Sequence, residues 1–117
     1  MALPKCMLGV LFLAGCQTVA PAELTASQRQ VVQIGVASAL HNPRSAQFSL
    51  LAAVRASNGR TLVCGSVNAQ GPRGRMTGPT PFFVAVRGKQ FELLAAGGGP
   101  EQNRVVKAAC SAVGIII

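Results

Sequence analysis

Aspartate is absent from this chain of 117 residues, and its only acids are Glu23, Glu92 and Glu101. A Ser-His-Asp triad is therefore excluded, and no glutamate stands at a spacing to the single histidine, His41, that suggests a substitute. The three glutamates fall in separate segments, which gives a paired-carboxylate site little support. His41 itself reads as a helix-end residue near carbonyl groups rather than as a base. Trp and Tyr are also missing, and the few Phe residues sit at core-like positions, so there is no aromatic set on which nucleic-acid bases would stack. Nucleic acid is thus not an expected partner, even at a formal charge of +8. With one His and no Cys-x-x-Cys spacing, a metal or redox centre is not expected either. These absences argue against an enzyme: no catalytic residue, metal site or cofactor is expected.

What the sequence does contain begins with a leader. Lys5 supplies a positive start, and Cys6 to Leu13 supply an apolar run of signal-peptide length, well short of the roughly 20 residues that span a bilayer. Leu13-Ala14-Gly15-Cys16 follows directly, and it resembles a bacterial lipobox. The resemblance implies cleavage before Cys16, a diacylglyceryl group on its thiol and an acylated amine. With two or three chains at about 0.8 kcal/mol per buried CH₂, such anchoring is effectively permanent. Gln17, rather than the Asp that retains many enteric lipoproteins at the inner membrane, points to the periplasmic face of the outer membrane. Two other readings of this segment stand beside it: a buried N-terminal helix, and an ordinary secretory peptide cut at Thr18-Val19-Ala20 or Ala20-Pro21-Ala22.

Removing residues 1–15 takes only Lys5 from the 11 basic residues and lowers the formal charge from +8 to +7. The remaining Arg residues are scattered, as on a solvated surface, although a basic protein tethered to a membrane also suits anionic headgroups. Of the four cysteines, Cys6 leaves with the leader and Cys16 takes the lipid. Cys64 and Cys110 remain, and in an oxidising compartment such a pair reads as a disulfide.

Residues 16–24 contain Pro21, lack periodicity and read as a tether, followed by one small domain over 25–117. Thr25-x-x-Gln28 and Ser27-x-x-Gln30 both have capping-box form, and Val32, Val36, Ala39 and Leu40 recur at helical spacing up to His41-Asn42-Pro43. The period then changes. Segments Gln47 to Ala56 and Arg60 to Asn68 flank Ser57-Asn58-Gly59, where Asn-Gly supplies the positive φ angles of a hairpin turn, and Pro81 to Val86 and Gln90 to Ala95 flank Arg87-Gly88-Lys89. Gln70 to Thr80 is a glycine- and proline-rich loop. Pro100 opens a second helix running to Val113, with Glu101 in its first turn. The expected fold is α+β: an N-terminal helix, a four-stranded antiparallel sheet of two hairpins, and a C-terminal helix, with both helices on one face and one disulfide. Gly65 is read as permitting close approach of the covering helix.

Asn42-Pro43-x-Ser45-Ala46-x-Phe48, Cys64-Gly65-x-Val67-Asn68-Ala69, a glycine-rich stretch with Gly78, Pro81-Phe82 and a late Cys110 together resemble a group of small proteobacterial periplasmic proteins and lipoproteins of uncharacterised function. Those relatives tend to carry Asp where this chain has Asn42, and an aromatic where it has Arg75-Met76. The resemblance covers residues 40–110 and implies a shared fold.

Three polar residues are candidates for ligand or anion contact: Asn68 at a strand end, and Arg73 and Arg75 in Gly71-Pro72-Arg73-Gly74-Arg75, whose backbone N–H groups and guanidinium groups suit an anion. Two functions follow. One is a cell-envelope lipoprotein, held to the membrane through Cys16, that works by contact with an envelope protein or polymer. The other is a small-ligand or anionic-lipid binding module that uses the basic loop and a sheet face left open by the helices.

Overall fold

The computed structural model describes residues 19–117, so the leader, Cys16 and Gln17 lie outside the described residues. Five strands form one antiparallel sheet in sequential order: β1 (Val19–Ala22), β2 (Gln47–Ala56), β3 (Thr61–Asn68), β4 (Thr80–Arg87) and β5 (Gln90–Ala96). Helix α1 (Ala26–Ser38) lies between β1 and β2, and helix α2 (Pro100–Ala112) follows β5. The α+β class and the four strands expected from alternation are present. The sheet has a fifth strand, however, drawn from the segment read as a tether. Val19 pairs with Ala56 and Ala22 with Ala53, so the first described residues join the edge of the sheet before α1 begins. Pro21 is compatible with that position because an edge strand needs no donor on its open side.

The helices do not share a face. Side chains alternate across a strand, so neighbours such as Val63 and Cys64 point to opposite sides. On one side Val63, Val67, Phe82, Val84 and Val86 bury Val32 and Val36 of α1. On the other, Leu62, Cys64 and Ala85 bury Val106 and Cys110 of α2, together with Ile115 beyond its end. The molecule is therefore three layers, helix on sheet on helix. Strand β3 is buried along Thr61 to Val67, as expected for a strand covered on both faces.

Local chemistry accounts for the element ends. Thr25 caps α1: its Oγ1 accepts from the Gln28 N–H, and Gln28 Oε1 accepts from the Thr25 N–H, each at 3.0 Å. Between β2 and β3 the Gly59 N–H donates to the Ala56 carbonyl, and Gly59 alone takes a positive φ, +90°. Asn58 does not adopt the left-handed conformation expected of it. Its Oδ1 instead accepts from the Arg60 N–H, and Ser57-Asn58-Gly59 form the three-residue turn that the sequence segments leave between them. Gly88, at φ +59°, is the first central residue of the β4–β5 turn.

Close packing explains two glycines. A Cβ on Gly35 would lie 2.5 Å from the Phe91 ring, so this glycine lets α1 sit against β5. On Gly65 it would meet Leu51 at 2.8 Å and Phe82 at 2.9 Å, so the neighbour that needs the space is a pair of apolar side chains and not a helix. Phe82 also meets Phe48 edge to face, with centroids 6.0 Å apart. Strand β2 has an irregular register between Ser49 and Ala52, where Leu50 takes φ +56° and leaves its side chain 66 % exposed. That is a bulge, and it shifts Leu51 onto the core face.

Cys64 and Cys110 are both fully buried and joined by a disulfide, with Cα atoms 6.2 Å apart and a sequence separation of 46. The bond ties α2 to the central strand. Loop-closure entropy for that separation gives about 4 kcal/mol, a large share of the 5–15 kcal/mol typical of a domain. The double variant C64A/C110A is expected to unfold in urea with about 4 kcal/mol less stability and a steeper denaturant dependence, because its unfolded chain expands. An unchanged midpoint would contradict this role.

Candidate functional site

The residues singled out for ligand contact lie at one end of the sheet, where β3 ends and β4 begins. Residues 69–77 form a short hairpin arm: Gln70 bridges Met76, the Gly71 N–H donates to the Arg75 carbonyl at 2.8 Å, and the Thr77 N–H donates to the Ala69 carbonyl at 2.8 Å. At its tip the Gly74 N–H donates to the Gly71 carbonyl at 3.0 Å, with Gly74 at φ +79°. The arm is thus a built hairpin rather than an open loop. Two of the backbone donors that would have cradled an anion are spent inside it, which leaves the exposed side chains of Arg73 and Arg75 to carry any anion contact.

Asn68 has a structural task. Its Oδ1 accepts from the Gly78 N–H at 2.9 Å, closing the far side of the arm, while the Thr77 and Thr80 hydroxyls both donate to the Gly78 carbonyl. The near side is held from the other end of the sequence. Asn42 Nδ2 donates to Gln70 Oε1 at 2.7 Å, Ser45 Oγ donates to the Asn42 carbonyl at 2.7 Å, and the Gln70 N–H donates to Ser45 Oγ at 2.8 Å. A short 3₁₀ turn over Pro43–Ser45 positions these groups. Asn42, Ser45 and Asn68, which carry the sequence resemblance, thus form a polar clamp that fixes the arm. Gln70 and Thr77 complete it, and neither belongs to a periodic pattern in the sequence.

Beside the arm lies a cleft of about 650 Å³, lined by Leu40 and His41 at the end of α1, by Val67 and Thr80 of the sheet, by Pro72, and by Asn103 of α2. Asn103 Oδ1 accepts from the Gly98 N–H at 3.0 Å, so that side chain is committed to the glycine turn before α2. The cleft is small and mixed in character, of the size that takes a small molecule. His41 is exposed at its rim.

The carboxylates do not converge. Glu92 on β5 pairs with Arg60 at 2.8 Å, and Glu101 pairs with Arg104 one turn along α2 at 3.1 Å. Both pairs are solvent-exposed and worth no more than about 1 kcal/mol each. Among the described residues no group of three or more His, Cys, Asp or Glu is placed to hold a metal ion, and no helix is long and apolar enough to cross a membrane. No protein family, no curated protein and no solved structure matches this chain.

If Asn68 serves the arm, N68A leaves the Gly78 N–H without its partner at a cost of about 1–2 kcal/mol. Amide hydrogen exchange should then quicken at Gly78 and Thr77 while Val63 and Val84 keep their protection. Unchanged exchange at Gly78 would show that the clamp does not depend on Asn68.

Proposed function

We propose that this chain is a bacterial cell-envelope lipoprotein, held by acyl chains on Cys16 at the periplasmic face of the outer membrane, that acts by contact with an envelope protein or polymer and not by catalysis. The observation that supports this best is the fate of the cysteines. Cys64 and Cys110 are buried and bonded to each other, a state that persists in oxidising compartments such as the periplasm. Cys16 stands apart, at the end of a leader with lipobox form. A domain stapled across its central strand, carrying its clamps and ion pairs on separate elements, has the character of a rigid body that presents surfaces.

The cleft beside the hairpin arm supports a second reading, a module that binds a small anionic ligand with Arg73 and Arg75 at its approach. The open sheet face that this reading first invoked is covered by a helix on each side, so only the arm and cleft remain for it. Charge reversal, R73E/R75E, removes binding on this second reading and leaves a protein contact elsewhere unaffected.

Intact mass of the protein extracted from its native membrane, with and without reduction, tests the main reading. A chain that begins at Cys16, carries added acyl mass and gains two hydrogen atoms on reduction is the expected result. An unlipidated chain cut elsewhere, or one with two free thiols, would contradict it.

A further inference from the structure

Both ends of the sheet are basic, and they differ in their distance from the N-terminal segment. Val19 pairs with Ala56, so the chain joins the sheet beside the β2–β3 turn, at the end opposite the hairpin arm. The register carries that end across every strand: Ala20 faces Arg55, Arg55 faces Thr61, Thr61 faces Val86, and Arg87 faces Gln90. Arg55, Arg60, Arg87 and Lys89 all lie on this row or in the turns that cap it. Glu92 pairs with Arg60, and none of the other three cations has a carboxylate partner among the described residues.

The same end carries a recess and an apolar point. An open cleft of about 600 Å³ is lined by Arg60, Arg87, Gln90, Phe91 and Glu92, and the Arg87 guanidinium donates to the Asn58 carbonyl at its edge. Ile115 is buried with Val54, Ala56 and Leu62 of this end, and the next residue, Ile116, is 82 % exposed. Guanidinium and ammonium groups at the same end of the sheet as an exposed aliphatic side chain match a membrane interface, where phosphates are the counter-charge and the aliphatic group enters the acyl boundary.

We infer that this end, which carries Arg55, Arg60, Arg87 and Lys89, docks on the anionic phospholipid headgroups of the bilayer that holds the anchor. The inference rests on the lipidation of Cys16 proposed above. Three residue steps separate Cys16 from Val19, a reach of about 11 Å at most, so an acylated Cys16 holds the basic row against the headgroups. The hairpin arm with Arg73 and Arg75 stands at the other end of β3, seven steps or about 23 Å away. That exceeds the screening length of about 8 Å at physiological salt, so the two basic regions act independently. The arm and its cleft then face away from the membrane, toward the aqueous space.

Arginine-directed labelling of the native protein, read by mass spectrometry, compares the two ends within one molecule. The protein is reconstituted in vesicles of phosphatidylcholine alone or with phosphatidylglycerol, and rates are referred to those in neutral detergent micelles. Each basic residue near an anionic surface is worth roughly a fivefold change in partitioning. On phosphatidylglycerol vesicles Arg55 and Arg87 should therefore label about fivefold more slowly than Arg73 and Arg75, with the difference shrinking on neutral vesicles and at high salt. Equal rates at both ends, or protection of Arg73 and Arg75 instead, would overturn the inference while leaving the anchor intact. Failure to float with neutral vesicles would overturn the lipidation reading, and the docking surface with it.

Discussion

Burial of β3 on both faces is the constraint on which the rest of the structure depends. From Thr61 to Val67 the strand has no solvent side, so every other element either pairs with it or its neighbours, or covers one of its two surfaces. Val63 and Val67 meet α1 across one surface, and Cys64 meets α2 across the other, where the covalent bond to Cys110 fixes the helix in place. Gly65 is part of the same arrangement, because only a residue without a Cβ leaves room for Leu51 and Phe82 to close over that position. A domain of this size gains much from a staple placed where the strand is most deeply covered.

A sheet closed on both faces has its strand ends left as exposed surface, and here the two ends carry different chemistry. Both are basic, but one receives the N-terminal segment through β1 and has an open recess and an exposed isoleucine. The other carries a hairpin arm held by side chains from four separate stretches of sequence: Asn42 and Ser45, Asn68, Gln70, and Thr77. The polar residues at the arm's base are occupied in holding it, and this arrangement gives a firm shape to a stretch rich in glycine and proline. On the proposed reading, that firmness is what an envelope partner meets, and the end beside β1 sets which way the molecule faces.

Much of this was legible in the residues. The change of period after Pro43, the turn residues between hydrophobic runs and the proline at the start of α2 located two helices and four strands to within a residue or two, and the two late cysteines gave the disulfide. Strand β1 was not legible, because four residues are too few to show alternation and Pro21 argues locally against a strand; only pairing with β2 makes it one. The placement of α1 and α2 on opposite faces was missed for a different reason. Leu62-Val63-Cys64 and Phe82-Phe83-Val84-Ala85-Val86 are continuous apolar runs, the pattern of strands covered on both sides, whereas the expectation of a one-faced sheet treated them as alternating. The clamp around the arm joins residues up to 28 apart in sequence through side-chain hydrogen bonds, and such bonds leave no periodic trace.

On this reading the N-terminal anchor point coincides with the basic end of the sheet formed by the β2–β3 and β4–β5 turns, and the hairpin arm stands at the opposite end. With Cys64 and Cys110 bonded to each other, Cys16 is the reactive thiol of a chain that begins there and is left unlipidated, so a nitroxide attached to it reports directly on this polarity. The account predicts strong paramagnetic broadening of the amide signals of Arg55 to Arg60 and Arg87 to Gln90, weakening along β3 toward Gly71 to Gly78. Equal broadening at both ends, or broadening strongest in the arm, would contradict it.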